Sequence, residues 1–234
     1  MAVAQAVFFT SAMFRLQAVE VRGNARVSDD VVKSEARLPL QQHLLGLDVN
    51  EAAARVKKIH WVQGVSVRRV LPGGTVIRVQ ERVPVLAVGT PGAVFPQGWL
   101  VVSEDGMVLA PARPRGDEKL PRLIVQAPVA VGAPMNKRLV SSVLRLRANL
   151  PQDLAAQVTE IRADASSGLD LVMSLGGRPV EVRMGDSVQT RYKFRVLGAL
   201  VEKLRAERRP IAYIDLRYHD PAVGHLGPPP KPKD

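Results

Sequence analysis

The chain has 234 residues, of which 46% are hydrophobic, 24% charged and 4% aromatic, with a formal net charge of +11 and no cysteine. The absence of cysteine excludes a disulfide framework, a thiol nucleophile and thiolate metal ligands, and the scarcity of aromatic residues argues against a stacking surface for single-stranded nucleic acid. This length and apolar content can bury one large core or two modest ones, and we predict two domains. Most basic residues are interspersed with acidic ones, which is typical of a solvated surface and does not indicate nucleic-acid binding.

The sequence begins with an uncharged, strongly apolar segment that ends at Phe14. As an α-helix, this segment would be about 21 Å long, which is shorter than the roughly 30 Å hydrocarbon core of a bilayer. A secretory signal begins with basic residues, whereas no basic residue precedes Arg15 in this sequence. We therefore predict that residues 1–14 are the end of a transmembrane helix that begins upstream. The alternative is a buried or amphipathic helix of a soluble protein.

The next elements begin with a strand at Val19–Arg22, where apolar and charged residues alternate before a Gly-Asn turn. A helix is predicted to begin at Ser28, because two acidic residues follow it in the first turn. A second helix is predicted to begin at Asp48, with Glu51 at the spacing of a capping box.

Two further strands, 61–69 and 75–81, are predicted to form a hairpin that reverses at Pro72-Gly73-Gly74. The order of elements in this part of the chain is therefore β-α-α-β-β.

After Pro84 the pattern changes to short strands separated by turns, with Asp105-Gly106 as the strongest hairpin signal. The predicted strands lie at 99–102, 107–109, 158–162, 169–174, 179–184 and 212–218. Helices are predicted at 136–149 and 187–208, each with an apolar face that can pack on a sheet. The last strand is expected to lie at or near an edge of that sheet, where unpaired backbone groups can accept another chain.

These patterns predict an α+β fold with four parts. Residues 1–14 would be a partial transmembrane segment, 15–84 a β-α-α-β-β domain, 85–226 a mainly antiparallel β domain with two or more helices, and 227–234 a proline-rich tail.

No motif for catalysis, phosphate binding or metal binding is present in the sequence. The four histidines are dispersed, and neither a Gly-x-Ser-x-Gly elbow nor a Gly-x-x-x-x-Gly-Lys loop occurs. We therefore predict a protein that is not an enzyme and that has no cofactor or metal site.

The ordered set of motifs resembles the FtsQ family of bacterial cell division proteins, called DivIB in Gram-positive bacteria. The resemblance is carried by Val19-x-Val21-x-Gly23-Asn24, Trp61-Val62, Val67-x-Arg69, Val79-x-Glu81-Arg82-x-Pro84 and Ile214-Asp215-Leu216-Arg217-Tyr218. It implies that 15–84 is a POTRA domain followed by an FtsQ-type β domain. Because POTRA domains also occur in assembly and transport proteins, the alternative is a chaperone or transport component that binds polypeptides by β-augmentation.

The resemblance implies a non-enzymatic scaffold at the division septum, with a single pass through the inner membrane and most of the chain in the periplasm. It implies binding of FtsB and FtsL through the C-terminal β edge, at Arg217, Tyr218, Ala222, Val223 and Gly224. Two residues depart from the family pattern: Pro221 stands near a position where the family commonly has glycine, and His225 stands where an aromatic residue is frequent. For Tyr218, the alternative is a core aromatic with a satisfied hydroxyl group.

The resemblance also implies a contact between the POTRA domain and FtsK or other division proteins. Val65, Val67 and Arg69 are the candidates for this contact. The alternation of strand residues favours a plainer interpretation of the two valines, as side chains that face the core.

Overall fold

The computed structural model describes residues 12–163, 168–185, 188–207, 211–218 and 220–225. The chain divides into two compact units, Met1–Val83 and Pro84–Asp234. The predicted N-terminal helix lies mostly outside the described residues, and its last three residues, Ala12–Phe14, form a single 3-10 turn. Within the described part, no helix combines the length and the hydropathy of a membrane span.

The first unit has the predicted β-α-α-β-β order. Its elements are β1 (Ala18–Arg22), α1 (Asp29–Ala36), α2 (Val49–Val56), β2 (Val62–Val70) and β3 (Gly74–Glu81), with a 3-10 turn at Leu44–Gly46 before α2. The central strand β3 pairs parallel to β1 and antiparallel to β2. Buried apolar residues on this sheet and the two helices form the core, among them Val21, Val32, Val56, Val62 and Ile77.

Side-chain caps begin the two helices at the predicted residues. The Ser28 hydroxyl accepts a hydrogen bond from the Val31 N–H, and the Asp48 carboxylate accepts one from the Glu51 N–H at 2.8 Å. Each cap satisfies a backbone donor that has no partner within its helix, which is why these two residues mark the helix starts.

The second unit is built on one mixed sheet of nine strands. These are β4 (Pro84–Gly89), β5 (Leu100–Ser103), β6 (Val108–Pro111), β7 (Arg122–Ile124), β8 (Val158–Ala163), β9 (Leu169–Leu175), β10 (Arg178–Gly185), β11 (Ile211–Asp215) and β12 (Ala222–His225). Their order is β12-β11-β10-β9-β8-β7-β4-β5-β6. Five of the eight neighbouring pairs are antiparallel, which confirms the mainly antiparallel prediction, and three are parallel.

Helices α3 (Lys137–Asn149), α4 (Gln152–Ala155) and α5 (Thr190–Glu207) contribute to the core of this unit. Phe194 and Leu197 from α5 are buried together with Val143 and Leu146 from α3 and with the inward residues of the sheet. The two predicted helices are thus present, each with its apolar face in the core.

The predicted terminal strand at 212–218 is wrong in its extent, and it lies next to the edge of the sheet. Strand β11 ends at Asp215, whose carboxylate accepts a hydrogen bond from the Arg217 N–H at 3.0 Å. This local bond replaces a strand-to-strand bond, so the chain bends. A further strand, β12, then pairs antiparallel to β11, so that β11 is an inner strand and β12 lies at the edge.

Candidate protein-interaction edge

The edge strand β12 is the last strand of the nine-stranded sheet in space. Its residues pair with β11 through Tyr213 with Gly224, Ile214 with Val223, and Asp215 with Ala222. No other described strand pairs with the outer side of β12. An edge of this kind presents backbone N–H and C=O groups that can bind an added strand.

One row of charged side chains crosses four strands and leads toward this edge. The strand register places Arg162 beside Asp170, Asp170 beside Arg183, and Arg183 beside Asp215. The row therefore alternates in sign, so each carboxylate has a cationic neighbour on an adjacent strand. In the strand register, Ala222 of β12 lies opposite Asp215, so the row ends at the edge strand.

Arg217 extends the charged row, because its guanidinium group donates two hydrogen bonds to the Asp215 carboxylate. Its Nε and Nη2 atoms lie 3.0 and 2.6 Å from the Asp215 carboxylate oxygens, and the Asp215 residue is only 6% exposed. These side-chain bonds, together with one from the Arg217 backbone N–H, hold the pKa of the Asp215 carboxyl below its ordinary value of 3.8. The Arg217 side chain is itself partly exposed.

Asp215→Asn is expected to lower the urea concentration at which the second unit unfolds at neutral pH, and to make its stability depend less on pH in the acid range. Because the pKa is lower in the folded state, ionised Asp215 gives its full stabilisation above about pH 3.8 and loses it as the pH falls through the folded-state pKa. Urea unfolding followed between neutral pH and about pH 3 checks this. An Asp215 variant whose stability has the same pH dependence as that of the natural chain would contradict the prediction. Glu104→Gln, which removes a carboxylate at an exposed turn, is the control.

The Tyr213 ring lies close against the edge strand because residue 224 is glycine. A Cβ atom on Gly224 would lie 2.2 to 2.7 Å from three atoms of the Tyr213 ring, a separation that real side chains do not tolerate. The ring also meets the Arg183 guanidinium, whose central carbon is 4.6 Å from the ring centroid. The ring thus connects β12 to the charged row.

The residues implied by the family resemblance lie on β12 or on the bend before it. Tyr218 is 71% exposed, so the alternative of a core aromatic is wrong. The Arg217 guanidinium carbon lies 5.6 Å from the Tyr218 ring centroid. Ala222 is exposed, while Val223 and Gly224 are half-buried, with Val223 packed on the core. The structure therefore brings all five residues together at one edge.

The two residues that depart from the family pattern lie at the ends of β12. Pro221 precedes the strand, so its missing N–H falls outside the paired residues. His225 is half-buried, and its Nδ1 atom is buried with no hydrogen-bond partner among the described residues.

The three candidates on the first unit have structural roles in the described part of the chain. Val65 and Val67 pack against the core, which confirms the plainer interpretation of these two valines. Arg69 donates to the carbonyl oxygens of Leu44 at 2.7 Å and of Leu47, and so holds the turn before α2 against the sheet. A contact of these residues with a partner stays a prediction.

Sequence reasoning missed Tyr213 and Asp215 as parts of the site. The available signal was the i, i+2 spacing of Tyr213, Asp215 and Arg217, which places alternate strand residues on one face. The contact of Tyr213 with Gly224 depends on the pairing of β11 with β12, which the sequence did not predict. Across the described ranges, no three histidine, aspartate or glutamate residues come together as a metal site.

Each of the two units matches a known protein-family model. Residues 14–82 match the model of the POTRA domain, FtsQ-type, and residues 93–217 match that of the cell division protein FtsQ/DivIB, C-terminal. The second match favours the division family over the chaperone or transport alternative. It ends at Arg217, before β12.

Several curated relatives carry the name cell division protein FtsQ. The relative from Caulobacter vibrioides is 33% identical over 64% of this chain, and the chain spans only 46% of its length. The relative from Geotalea daltonii is 26% identical over 90% of this chain and 75% of its own length. That from Streptomyces collinus is 28% identical over 86% of this chain and 76% of its own. The chain belongs to the FtsQ/DivIB family of bacterial cell division proteins.

Proposed function

We propose that this chain is a division-site scaffold that binds FtsB and FtsL through the β12 edge. The observation that carries the proposal is the outer side of β12, which pairs with no described strand and lies beside exposed Tyr218 and partly exposed Arg217. The mechanism is recruitment by binding, without a chemical step.

Strand addition to β12 explains how one short edge can bind a partner. Backbone hydrogen bonds supply affinity that is independent of sequence, while side chains next to the edge supply specificity. Tyr218 offers a large ring together with a hydroxyl group, which is the character of an interface anchor. Arg217 uses Nε and Nη2 for Asp215, and its Nη1 atom carries two further N–H groups for an acidic residue of the partner.

The proposed location is the inner membrane, with the bulk of the chain in the periplasm at the division septum. The uncharged apolar character of the residues before Arg15 supports a single membrane segment at this end of the chain. Tethering the scaffold and its partners in one membrane raises their effective concentration and lowers the affinity that each contact needs. The first unit would add a contact with FtsK or another division protein, for which Val65, Val67 and Arg69 remain the candidates.

Tyr218→Ala is expected to weaken binding of the periplasmic FtsB segment by about tenfold, because it removes an exposed anchor beside the edge strand. Titration of the full chain with labelled FtsB segment, alone and together with the FtsL segment, measures the effect. Tyr192→Ala is the control, since Tyr192 is also exposed but lies on α5. Equal binding by the natural chain and the Tyr218 variant, with both folded by circular dichroism, would exclude Tyr218 from the interface. No binding of either segment by the natural chain would exclude the proposed partners.

A further inference from the structure

Three segments of the first unit meet at one of its ends, and we call this end the basal surface: residues 13–17, 37–47 and 68–74. The Leu16 N–H donates to the Gln42 carbonyl at 2.8 Å, and the Leu16 carbonyl accepts from the Gln41 N–H at 2.9 Å. The Gln17 N–H donates to the Gly73 carbonyl at 2.8 Å. These bonds fix the start of β1 between the loop that follows α1 and the β2–β3 turn.

The basal surface carries most of the exposed large apolar side chains of the first unit. Seven such residues are exposed among its described residues, and five of them belong to the basal surface: Met13 (59%), Leu40 (62%), Leu45 (55%), Val70 (46%) and Leu71 (63%). Single exposed apolar residues are ordinary, but their concentration at one end of a small unit indicates a surface that meets something less polar than water.

The charges of the basal surface are all positive. Its three segments contain Arg15, Arg37, Arg68 and Arg69 and no aspartate or glutamate. The next carboxylate along the chain, Asp48, caps α2 and is thereby engaged by the Glu51 N–H. Apolar side chains interspersed with arginines fit the boundary between the headgroups and acyl chains of an anionic bilayer, where basic residues approach phosphates.

The path of the chain favours a membrane over a protein as the occupant of this surface. The uncharged apolar sequence 2–14 leads directly into it through Met13 and Phe14. If that sequence ends a membrane segment, the basal surface is the part of the unit that emerges first from the bilayer.

We infer that the basal surface docks on the anionic lipid headgroups of the membrane. Leu40, Leu45 and Leu71 reach the acyl boundary, while Arg37 and Arg68 lie among the phosphates. This inference rests on the membrane tether of the proposed function, but not on FtsB or FtsL binding. Docking would orient the unit so that its opposite end, which includes Trp61 and Val83, points away from the bilayer.

Single-cysteine labels test the inference, because the natural chain has no cysteine. An environment-sensitive fluorophore is attached to Leu45→Cys or Leu71→Cys in the full chain, and to Val83→Cys as the control at the opposite end. With vesicles of phosphatidylglycerol and phosphatidylcholine in equal parts, emission at 45 and 71 is expected to shift to the blue and rise severalfold, while emission at 83 stays unchanged. Labels at 45 and 71 that remain in water while the chain sediments with the vesicles would overturn the inference, since only the N-terminal segment would then bind.

A charge substitution provides a second, matched test. Arg68→Gln is expected to weaken association with the same vesicles about fivefold, because each basic residue near an anionic surface contributes on the order of 1 kcal/mol. Lys58→Gln removes the same charge at the opposite end and is expected to leave association unchanged. Equal association of the two variants, or no association of the natural chain, would overturn the inference. FtsB binding to the same preparations, which needs no lipid, separates such a failure from a failure of the proposed function.

Discussion

Gly224→Ala is expected to weaken binding of the periplasmic FtsB segment by about a hundredfold, which is near 3 kcal/mol. The added methyl group would fall 2.2 Å from the Tyr213 ring, so either the ring or the edge strand must move. Movement of the ring would break its contact with Arg183, and movement of the strand would displace the backbone groups that we propose pair with the partner. The FtsB titration measures the loss directly.

A matched substitution separates this effect from a general one. Gly198 lies in α5, and a Cβ atom there would meet no other atom within 4 Å. Gly198→Ala is therefore expected to leave binding unchanged and to stabilise the helix slightly, because alanine has the higher helix propensity. Binding by the Gly224 variant within a fewfold of the Gly198 variant would contradict strand addition at β12.

The order of the first unit was predictable because its signals are local. Ser28 and Asp48 mark helix starts with their own side chains, and Pro72-Gly73-Gly74 joins two strands that are neighbours in sequence. Each of these features depends on residues within a few positions of one another. The parallel pairing of β1 with β3 spans more than fifty residues, and no local pattern predicts it.

The second unit was less predictable because several of its strands are short or lack alternation. Strand β7 has three residues, and β12 consists of Ala-Val-Gly-His, which carries no strand signal of its own. Three strand pairs are parallel, so their strands are joined by long connections: β7 to β8 and β10 to β11 through helices, and β4 to β7 through the strands β5 and β6. The antiparallel meander of β8, β9 and β10 was predicted, because Gly176 and the glycine before Leu169 mark its turns.

The residues of the candidate edge were predictable from the sequence, but the contact that positions them was not. Arg217, Tyr218 and the β12 residues Ala222, Val223 and Gly224 could be named from the family resemblance, and Tyr218 is indeed exposed. The Tyr213 ring against Gly224 could not be predicted, because it arises from a pairing between two strands whose register the sequence does not state. A glycine in a strand, however, is itself a sign of close approach by another group, and Gly224 fits that rule.

Gly23→Ala is expected to destabilise the first unit by about 3 kcal/mol. Gly23 has φ +86°, a conformation that other residues adopt only with strain, and a Cβ atom there would lie 2.3 Å from the Val79 carbonyl oxygen. Because that oxygen belongs to the backbone of the central strand, it cannot move aside without disturbing the sheet. Just beyond this contact, the Glu81 carboxylate accepts hydrogen bonds from the N–H groups of Ala25, Arg26 and Val27, so a shift of the turn would also weaken the entrance to α1.

Urea unfolding, followed by circular dichroism and by tryptophan fluorescence, to which Trp61 contributes from the first unit and Trp99 from the second, measures this loss. Gly46→Ala is the control in the same unit, because a Cβ atom there would meet only the Gln42 side chain, at an ordinary 3.5 Å. The Gly23 variant is expected to unfold at a clearly lower urea concentration than the Gly46 variant. At urea concentrations that unfold only the first unit, the proposed FtsB binding at the second unit is expected to persist. Equal midpoints for the two variants would show that the Gly23 turn can relax, and the glycine of this motif would then need an explanation other than its close approach to β3.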